Sequence, residues 1–325
     1  MIDTLERWRE LGLDDKPDYA GLLTFSALPF THDAAELDGV DVAIVGAPMD
    51  DLTSDRPGTR FGPRAIRAAS CPPGPHLEAK LDAMEVLEVV DFGDAPVLPA
   101  DPRRSHAAIE RTVGEVVAAG VIPVVLGGDH SITEPNIRAV AARHGPVALV
   151  HFDTHTDTGE EVFGVEVSHG TPMRRLVRAG QVDGPRYVQI GLRGYWPGDE
   201  EFTWQAEHGI TSFFMHDVRD QGIRTIVERT IAIVGDAPTF LTVDVDVLDP
   251  AFAPGTGTPE PGGMTSADVL WACRTLATGL DIVGMDVVEV IPTVVGSADI
   301  TALVAERIVR ETLTGIAVRK SRAGR

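Results

Sequence analysis

Apolar residues in this chain fall in short runs separated by stretches of a different period. β-Branched runs at 42–46 (VAIVG), 86–90 (VLEVV), 121–126 (VIPVVL), 147–152 (VALVHF), 187–191 (YVQIG), 211–214 (TSFF), 239–245 (TFLTVDV) and 282–288 (IVGMDVV) predict eight strands. Helical spacing predicts helices over 63–69, 105–119, 132–144, 171–179, 220–234, 266–278 and 299–316. The strand runs are apolar almost continuously, so both faces of the sheet are expected to be covered. That predicts an α/β protein built on a parallel sheet with helices on either side. No Ser/Gly linker, repeat or low-complexity tract interrupts the pattern, which predicts a single domain over 1–325 whose first thirty-five or so residues form an arm packed on the domain or on a neighbouring subunit. Segments 49–62, 157–170, 193–204 and 247–265, rich in Gly, Pro or acidic residues, are expected as long functional loops.

Composition narrows the partners. The 325 residues are 43% hydrophobic, enough for a large core. Lys and Arg number 28 against 49 Asp and Glu, and the resulting charge of −21 repels phosphate backbones and anionic membranes while suiting a cationic small molecule. The start, MIDTLERWRELGLDDKPDYA, carries no signal-peptide h-region, and no apolar run reaches the eighteen or so residues of a membrane helix. Cys71 and Cys273 stand alone, with no CxxC. These features point to a reduced cytoplasm.

The unusual polar residues sit where the strands are expected to end. VIPVVL is followed by GGDHSIT, with His130; VALV by HFDTHTDT, with Asp153, His155 and Asp157 at alternate positions; TFLT by VDVDVLDP, with Asp244 and Asp246 on one face; and IVGMDVV by Glu289. In open α/β sheets this is the end at which ligands bind. Asp129 and Asp249 read as turn formers. The remaining acids cannot share one face without a cation, because buried like charges repel and lose hydration. Four carboxylates, two imidazoles and no thiolate suit hard or borderline divalent ions, and six side chains are too many for one ion. Two ions about 3.5–4 Å apart would use all six and would lower the pKa of a water between them.

With GGDHS, DTHTDT, SHGTP, TVDVDVLDPAFAPGTGTPEPGG and GMDVVEV in place from Val42 to Leu313, the sequence resembles the ureohydrolases, the family of arginase and agmatinase, and looks most like the agmatinase branch. The resemblance implies a three-layer α/β/α fold on an eight-stranded parallel sheet. It implies two Mn2+ ions, with Ni2+ or Co2+ as substitutes: His130 and Asp157 on one ion, His155 and Asp246 on the other, Asp153 and Asp244 bridging. His169 of SHGTP matches the family's proton-relaying histidine, for which a near-neutral pKa would be suitable, and Glu289 matches the acid that pairs with the guanidinium. The implied reaction is hydrolysis of a guanidino compound to urea and a primary amine, in a homo-oligomer of three or six chains.

The substrate's far end is read from the loops. Gly159 stands where arginases carry an Asn that holds the amino-acid carboxylate, which disfavours arginine. Glu160, Glu161 and Glu166 could meet the free amine of agmatine. Arg193, Tyr195 and Trp196 in LRGYWPGDEEF could instead hold a carboxylate or a bulkier tail, as in a guanidinobutyrase. Two other classes are weighed: a silent relative acting as a binding protein should have lost ligands, yet all six are present, and a zinc-type deacetylase would use one ion and fewer acids.

Overall fold

The computed structural model describes residues 1–13, 16, 17, 19–72, 74–293 and 299–323, so residues 14, 15 and 18 of the expected arm lie outside it. Eight strands form one sheet: β1 (Val42–Ala47), β2 (Val89–Asp94), β3 (Ile122–Gly127), β4 (Val147–Phe152), β5 (Val182–Leu192), β6 (Thr211–Phe214), β7 (Pro238–Asp244) and β8 (Asp281–Val288). Their order is β2-β1-β3-β8-β7-β4-β5-β6, and every pairing is parallel. The helices are α1 (Glu6–Arg9), α2 (Gly62–Ala69), α3 (Pro102–Ala118), α4 (Thr133–His144), α5 (Pro172–Arg178), α6 (Asp199–Glu207), α7 (Met215–Gln221), α8 (Ile223–Val234), α9 (Ser266–Gly279) and α10 (Ile300–Ala323).

Alternation along the strands sorts the core into two layers. Val42, Ile44, Val124, Leu126, Ala148 and Val150 pack with α2 and α7 to α10 on one face. Ala43, Val45, Val125, Val147 and Leu149 pack with α3, α4 and α5 on the other. This is the three-layer α/β/α arrangement on eight parallel strands that the runs of apolar residues predict. Local signals set the boundaries: the Asp101 side chain caps α3 by accepting from the Arg104 amide at 3.1 Å, with Pro102 in the first turn.

The topology brings the chemistry-bearing ends together. The chain passes from β3 through α4 to β4 without pairing them, and β7 and β8 later fill the gap, so β3, β8, β7 and β4 are consecutive in the sheet. Such a reversal of strand order leaves a crevice beyond the carboxyl ends. Among the described residues no helix is long and apolar enough to cross a membrane.

Several boundaries differ from the expectation. Strand β2 begins at Val89 rather than 86 because Ala83–Glu85 form a 3-10 turn and Leu87 is buried beyond it; the strand then continues through Asp91. Asp91 is tolerated there because Arg67 meets it with Nε and Nη2 at 2.8 and 2.9 Å. The expected 220–234 helix is two, broken at Gly222, whose φ of 82° lies in the left-handed region. Helix α10 runs past 316 to Ala323. Part of the expected 193–204 loop is α6, whose first turn holds Asp199, Glu200 and Glu201 at the positive end of the helix dipole.

Asp91 also fixes the N-terminal segment, accepting from the Phe25 amide at 2.8 Å, and Phe30 bridges to Asp91 along the outer edge of β2. Arg67 and Asp91 are both buried. Replacing Arg67 with Leu leaves the carboxylate unpaired in the core and is expected to cost about 3–5 kcal/mol. The exposed pair Arg104–Asp101 serves as the control, where Arg104→Leu should cost less than about 1 kcal/mol. Urea denaturation of the two variants measures both, and equal losses would refute the ranking.

Candidate metal centre

The six residues singled out at the strand ends converge. The His130 Nδ1 lies 3.1 Å from Asp153 Oδ2, 2.9 Å from Asp157 Oδ2 and 3.3 Å from Asp244 Oδ2. The His155 Nδ1 lies 3.1 Å from Asp246 Oδ2 and 3.5 Å from Asp153 Oδ1. Two ligand atoms at about 2.1 Å from one ion and at right angles to each other are about 3 Å apart, the separation seen here. Asp153 belongs to both groups, offering Oδ2 to the first and Oδ1 to the second, as a carboxylate shared by two ions would.

Chemistry supports the same fit. The His130 Nδ1 is buried and makes no hydrogen bond of good geometry despite three oxygens around it, while its Nε2 is satisfied by Thr242 Oγ1 at 2.9 Å. An imidazole fixed at one nitrogen and bare at the other is arranged as a ligand. Burial, then Asp246 and Asp153, push Asp244 well above the usual carboxylate range, and burial and Asp153 bring Asp246 up to about 6. Burial acts the same way on Asp153, but the adjoining imidazoles of His130 and His151 outweigh it and hold that carboxyl well below the range. The cluster is short of positive charge, which divalent cations would supply. Without cations the same shifts balance the cluster with protons, raised on Asp244 and Asp246 and held on His130 and His155, and a metal pair would take their place.

The backbone is bent to make this possible. Asp157 and Glu289 have φ of 50° and 64°, left-handed values that cost about 1–3 kcal/mol in non-Gly residues and concentrate at functional sites. Gly128 has no room for a side chain, since a Cβ would lie 2.5 Å from the Ala47 and Met49 carbonyls, and its own carbonyl accepts from the Glu289 amide at 2.9 Å. That bond joins the ends of β3 and β8.

Glu289 and His169 face the cluster as a pair. The Glu289 Oε1 accepts from the His130 amide at 2.9 Å and meets His169 Nδ1 at 3.0 Å, whereas Oε2 is buried with no hydrogen-bond partner. The His169 Nε2 meets Ser54 Oγ at 2.7 Å. Burial disfavours a charge on His169, but Glu289 more than offsets it and raises the imidazole to about 9. This departs from the near-neutral value expected from the sequence: without metal, the histidine keeps its proton at neutral pH because a carboxylate adjoins it.

The other singled-out residues separate. Glu161 and Trp196 line a cavity of about 300 Å³ that reaches His155, Asp157, His169 and Asp244, and Glu201 and Phe163 line it too. Tyr195 is 98% exposed and does not line it. Glu160 is turned away, bound by Arg174 and Arg178 at 3.2 and 2.9 Å, and Glu166 lines a different cavity together with Arg138 and Arg175. Arg193 is a correction. Its guanidinium donates to the carbonyls of Gly191, Asp246, Val247, Leu248, Glu260 and Pro261, so no N–H fork faces a substrate carboxylate. A residue read as a specificity contact instead clamps the Asp246 turn to the β5 end and the 260 loop. Gly159 also has a local reason, for a Cβ there would lie 2.9 Å from the Gly170 carbonyl. Asp129 and Asp249 are turn acceptors as expected, Asp129 from Ser131 and Leu52, Asp249 from Ala251 and Gly262. Sequence reasoning passed over Ser54, Glu201 and His151. Only His151 had a signal, being one alternate position ahead of Asp153.

The fold and the paired His/Asp clusters have the form of a binuclear-metal hydrolase of the ureohydrolase type. The sequence profile of the arginase family matches residues 40–315, and the chain belongs to that family. It is 43% identical over 312 residues to a guanidinopropionase from Pseudomonas aeruginosa, covering 94% of this chain and 95% of that one. It is 41% identical over 300 residues to a mitochondrial agmatinase from Gallus gallus, covering 90% and 85%. The solved structure of proclavaminate amidinohydrolase from Streptomyces clavuligerus superposes with a TM-score of 0.87 at 37% identity, over 94% of this chain and all of that one (100%). The chain is thus related to hydrolases of guanidino compounds over nine-tenths or more of its length.

Two measurements check the centre. Asp153→Asn should cost both metal sites, while Asp249→Ala should leave metal content largely intact, as read by elemental analysis after gel filtration; equal losses would refute the assignment. In metal-stripped protein the folded His169 value lies above the ordinary 6.5, so its contribution to stability is complete below about pH 6.5 and fades as pH rises through about 9. Glu289→Gln should return the imidazole to 6.5 or below by NMR titration, and an unmoved midpoint would show that Glu289 is not the cause.

Proposed function

We propose that the chain hydrolyses agmatine to urea and putrescine with a manganese pair held by His130 and Asp157 on one side, His155 and Asp246 on the other, and Asp153 and Asp244 between them. One observation carries the choice of substrate. Glu161 and Glu201 line the cavity beyond the ligands, and none of the described residues lining it is Lys or Arg. An ammonium tail is matched there; a carboxylate would meet acids and lose its hydration.

Bound metal supplies the lowered water pKa that makes a nucleophile for the guanidinium carbon. The chain's own groups do the rest. The free Oε2 of Glu289 accepts from a guanidinium N–H and turns the carbon toward the ligands. His169, protonated through its contact with Glu289, stands 2.7 Å from Ser54 Oγ at the edge of the same cavity and donates a proton to the departing amine nitrogen. Water adds across the carbon–nitrogen bond, leaving urea and the amine. Trp196 and Phe163, both largely exposed, line the cavity's rim, where an aromatic face also favours a cation.

A guanidino acid is the second reading, favoured by the 43% identity to a protein named guanidinopropionase. Its carboxylate would depend on backbone N–H groups, because Arg193 is occupied. Assembly into a trimer or hexamer belongs to the proposal as well, and sedimentation measures it.

Manganese-loaded protein is expected to show a kcat/KM for agmatine at least about tenfold above those for 4-guanidinobutyrate and 3-guanidinopropionate, near the contribution of one well-placed charge contact. A preference for either acid would overturn the agmatine assignment. Arg193→Ala should lower metal retention and activity on all three alike. His169→Ala should keep both metals and slow turnover by about 10²–10⁴-fold; unchanged turnover across pH would assign proton delivery to water.

A further inference from the structure

Behind the centre, on the face of β4 and β5 that packs against α3 to α5, three polar side chains are buried among apolar neighbours, with a half-buried fourth beside them on β6. His151, Tyr187 and Gln189 are fully buried, and Ser212 of β6 adjoins them. Buried polar groups in a core need their hydrogen bonds made, and the way these are made has a direction. The Ser212 Oγ has one proton for two amide oxygens, Gln189 Oε1 at 3.1 Å and Gln205 Oε1 at 3.0 Å, so the direction is set by Gln189. The Gln189 Nε2 donates to the Thr156 carbonyl at 2.6 Å and to Tyr187 Oη at 2.9 Å. The Tyr187 hydroxyl, accepting from Gln189, has its proton left for His151 Nδ1 at 2.9 Å. A neutral imidazole that accepts at Nδ1 carries its proton on Nε2, which lies 2.8 Å from Asp153 Oδ2.

We infer that His151 is a positioning residue for the metal pair: the chain from the Thr156 carbonyl through Gln189 and Tyr187 fixes its tautomer, and its Nε2–H holds Asp153 Oδ2 so that the two oxygens of that carboxylate face different ions. The inference rests on the metal reading proposed above. Asp153 is held at both ends, since Oδ1 accepts from the His155 amide at 2.6 Å. Rotation about its Cβ–Cγ bond would break one contact or the other. His151 itself lies close enough to His130, Asp153 and Asp157 to be considered a ligand. Both its nitrogens are already engaged, however, so it has no lone pair to give without breaking the chain. Groups of this kind, one bond removed from the metal, change its affinity by about 10–100-fold.

Wild type, His151→Leu, His151→Gln and Tyr187→Phe, each stripped of metal, are titrated with Mn2+ in competition with a chelating dye, with thermal melts of the stripped proteins as a control for folding. Two ions are expected in wild type, an affinity about 10–100-fold weaker in His151→Leu, most of that loss recovered in His151→Gln, whose amide nitrogen can donate from nearly the same place, and a smaller loss in Tyr187→Phe. Undiminished affinity in His151→Leu overturns the inference. Equal losses in the Leu and Gln variants overturn it too, because a direct ligand would behave that way. Should His151→Leu fail to fold, Tyr187→Phe decides, and wild-type affinity there refutes the directed chain. A wild type that takes up no Mn2+ refutes the underlying metal reading, an outcome distinct from any difference among variants.

Discussion

Repulsion among carboxylates sets the terms for everything else in this molecule. Asp153, Asp244 and Asp246 are buried together at the ends of β4 and β7, where low polarity strengthens each repulsion. A structure can hold such a group only by surrounding it with rigid backbone and balancing its charge. The sheet order provides the rigidity, since β3, β8, β7 and β4 are neighbours bonded along their lengths. A metal pair would provide the balance. The left-handed backbone at Asp157 and Glu289 is tolerable because paired strands behind it leave those turns little alternative.

The chain also divides its own cations sparingly. Arg67 neutralises Asp91 at the sheet's edge, Arg174 and Arg178 hold Glu160, and Arg193 is surrounded by carbonyl oxygens. None is directed at the central acids. A guanidinium there would compete with the metal, and with a substrate whose reacting group is itself a guanidinium.

How much could be read beforehand depended on whether a signal was local. The strands were legible because each is a short apolar run, and the convergence of His130, Asp153, Asp244 and Glu289 followed from placing their motifs at strand ends. Strand β2 was misplaced because its continuation through Asp91 depends on Arg67, 24 positions away. Helix α6 was concealed by acids that suit both a loop and a helix's first turn. Arg193 was misjudged for a related reason: sequence identifies a guanidinium but not the six carbonyls around it. Ser54 carried no signal at all, because its contact with His169 spans 115 positions and one exposed loop.

The cavity's floor and rim have different origins. The floor consists of strand ends tied by backbone hydrogen bonds, including the bond from Glu289 to Gly128. The rim, with Glu161, Phe163, Trp196 and Glu201, comes from the 157–170 segment, the stretch leading into α6 and the first turn of α6. Phe163 sits at a tight turn closed by Val162 and Val165, and is 89% exposed. The Val162–Val165 turn contains none of the six residues assigned to the metal and no strand of the sheet. Recognition and reaction can accordingly drift apart in evolution: one hydrolytic core can be inherited unchanged while its substrates diversify around it.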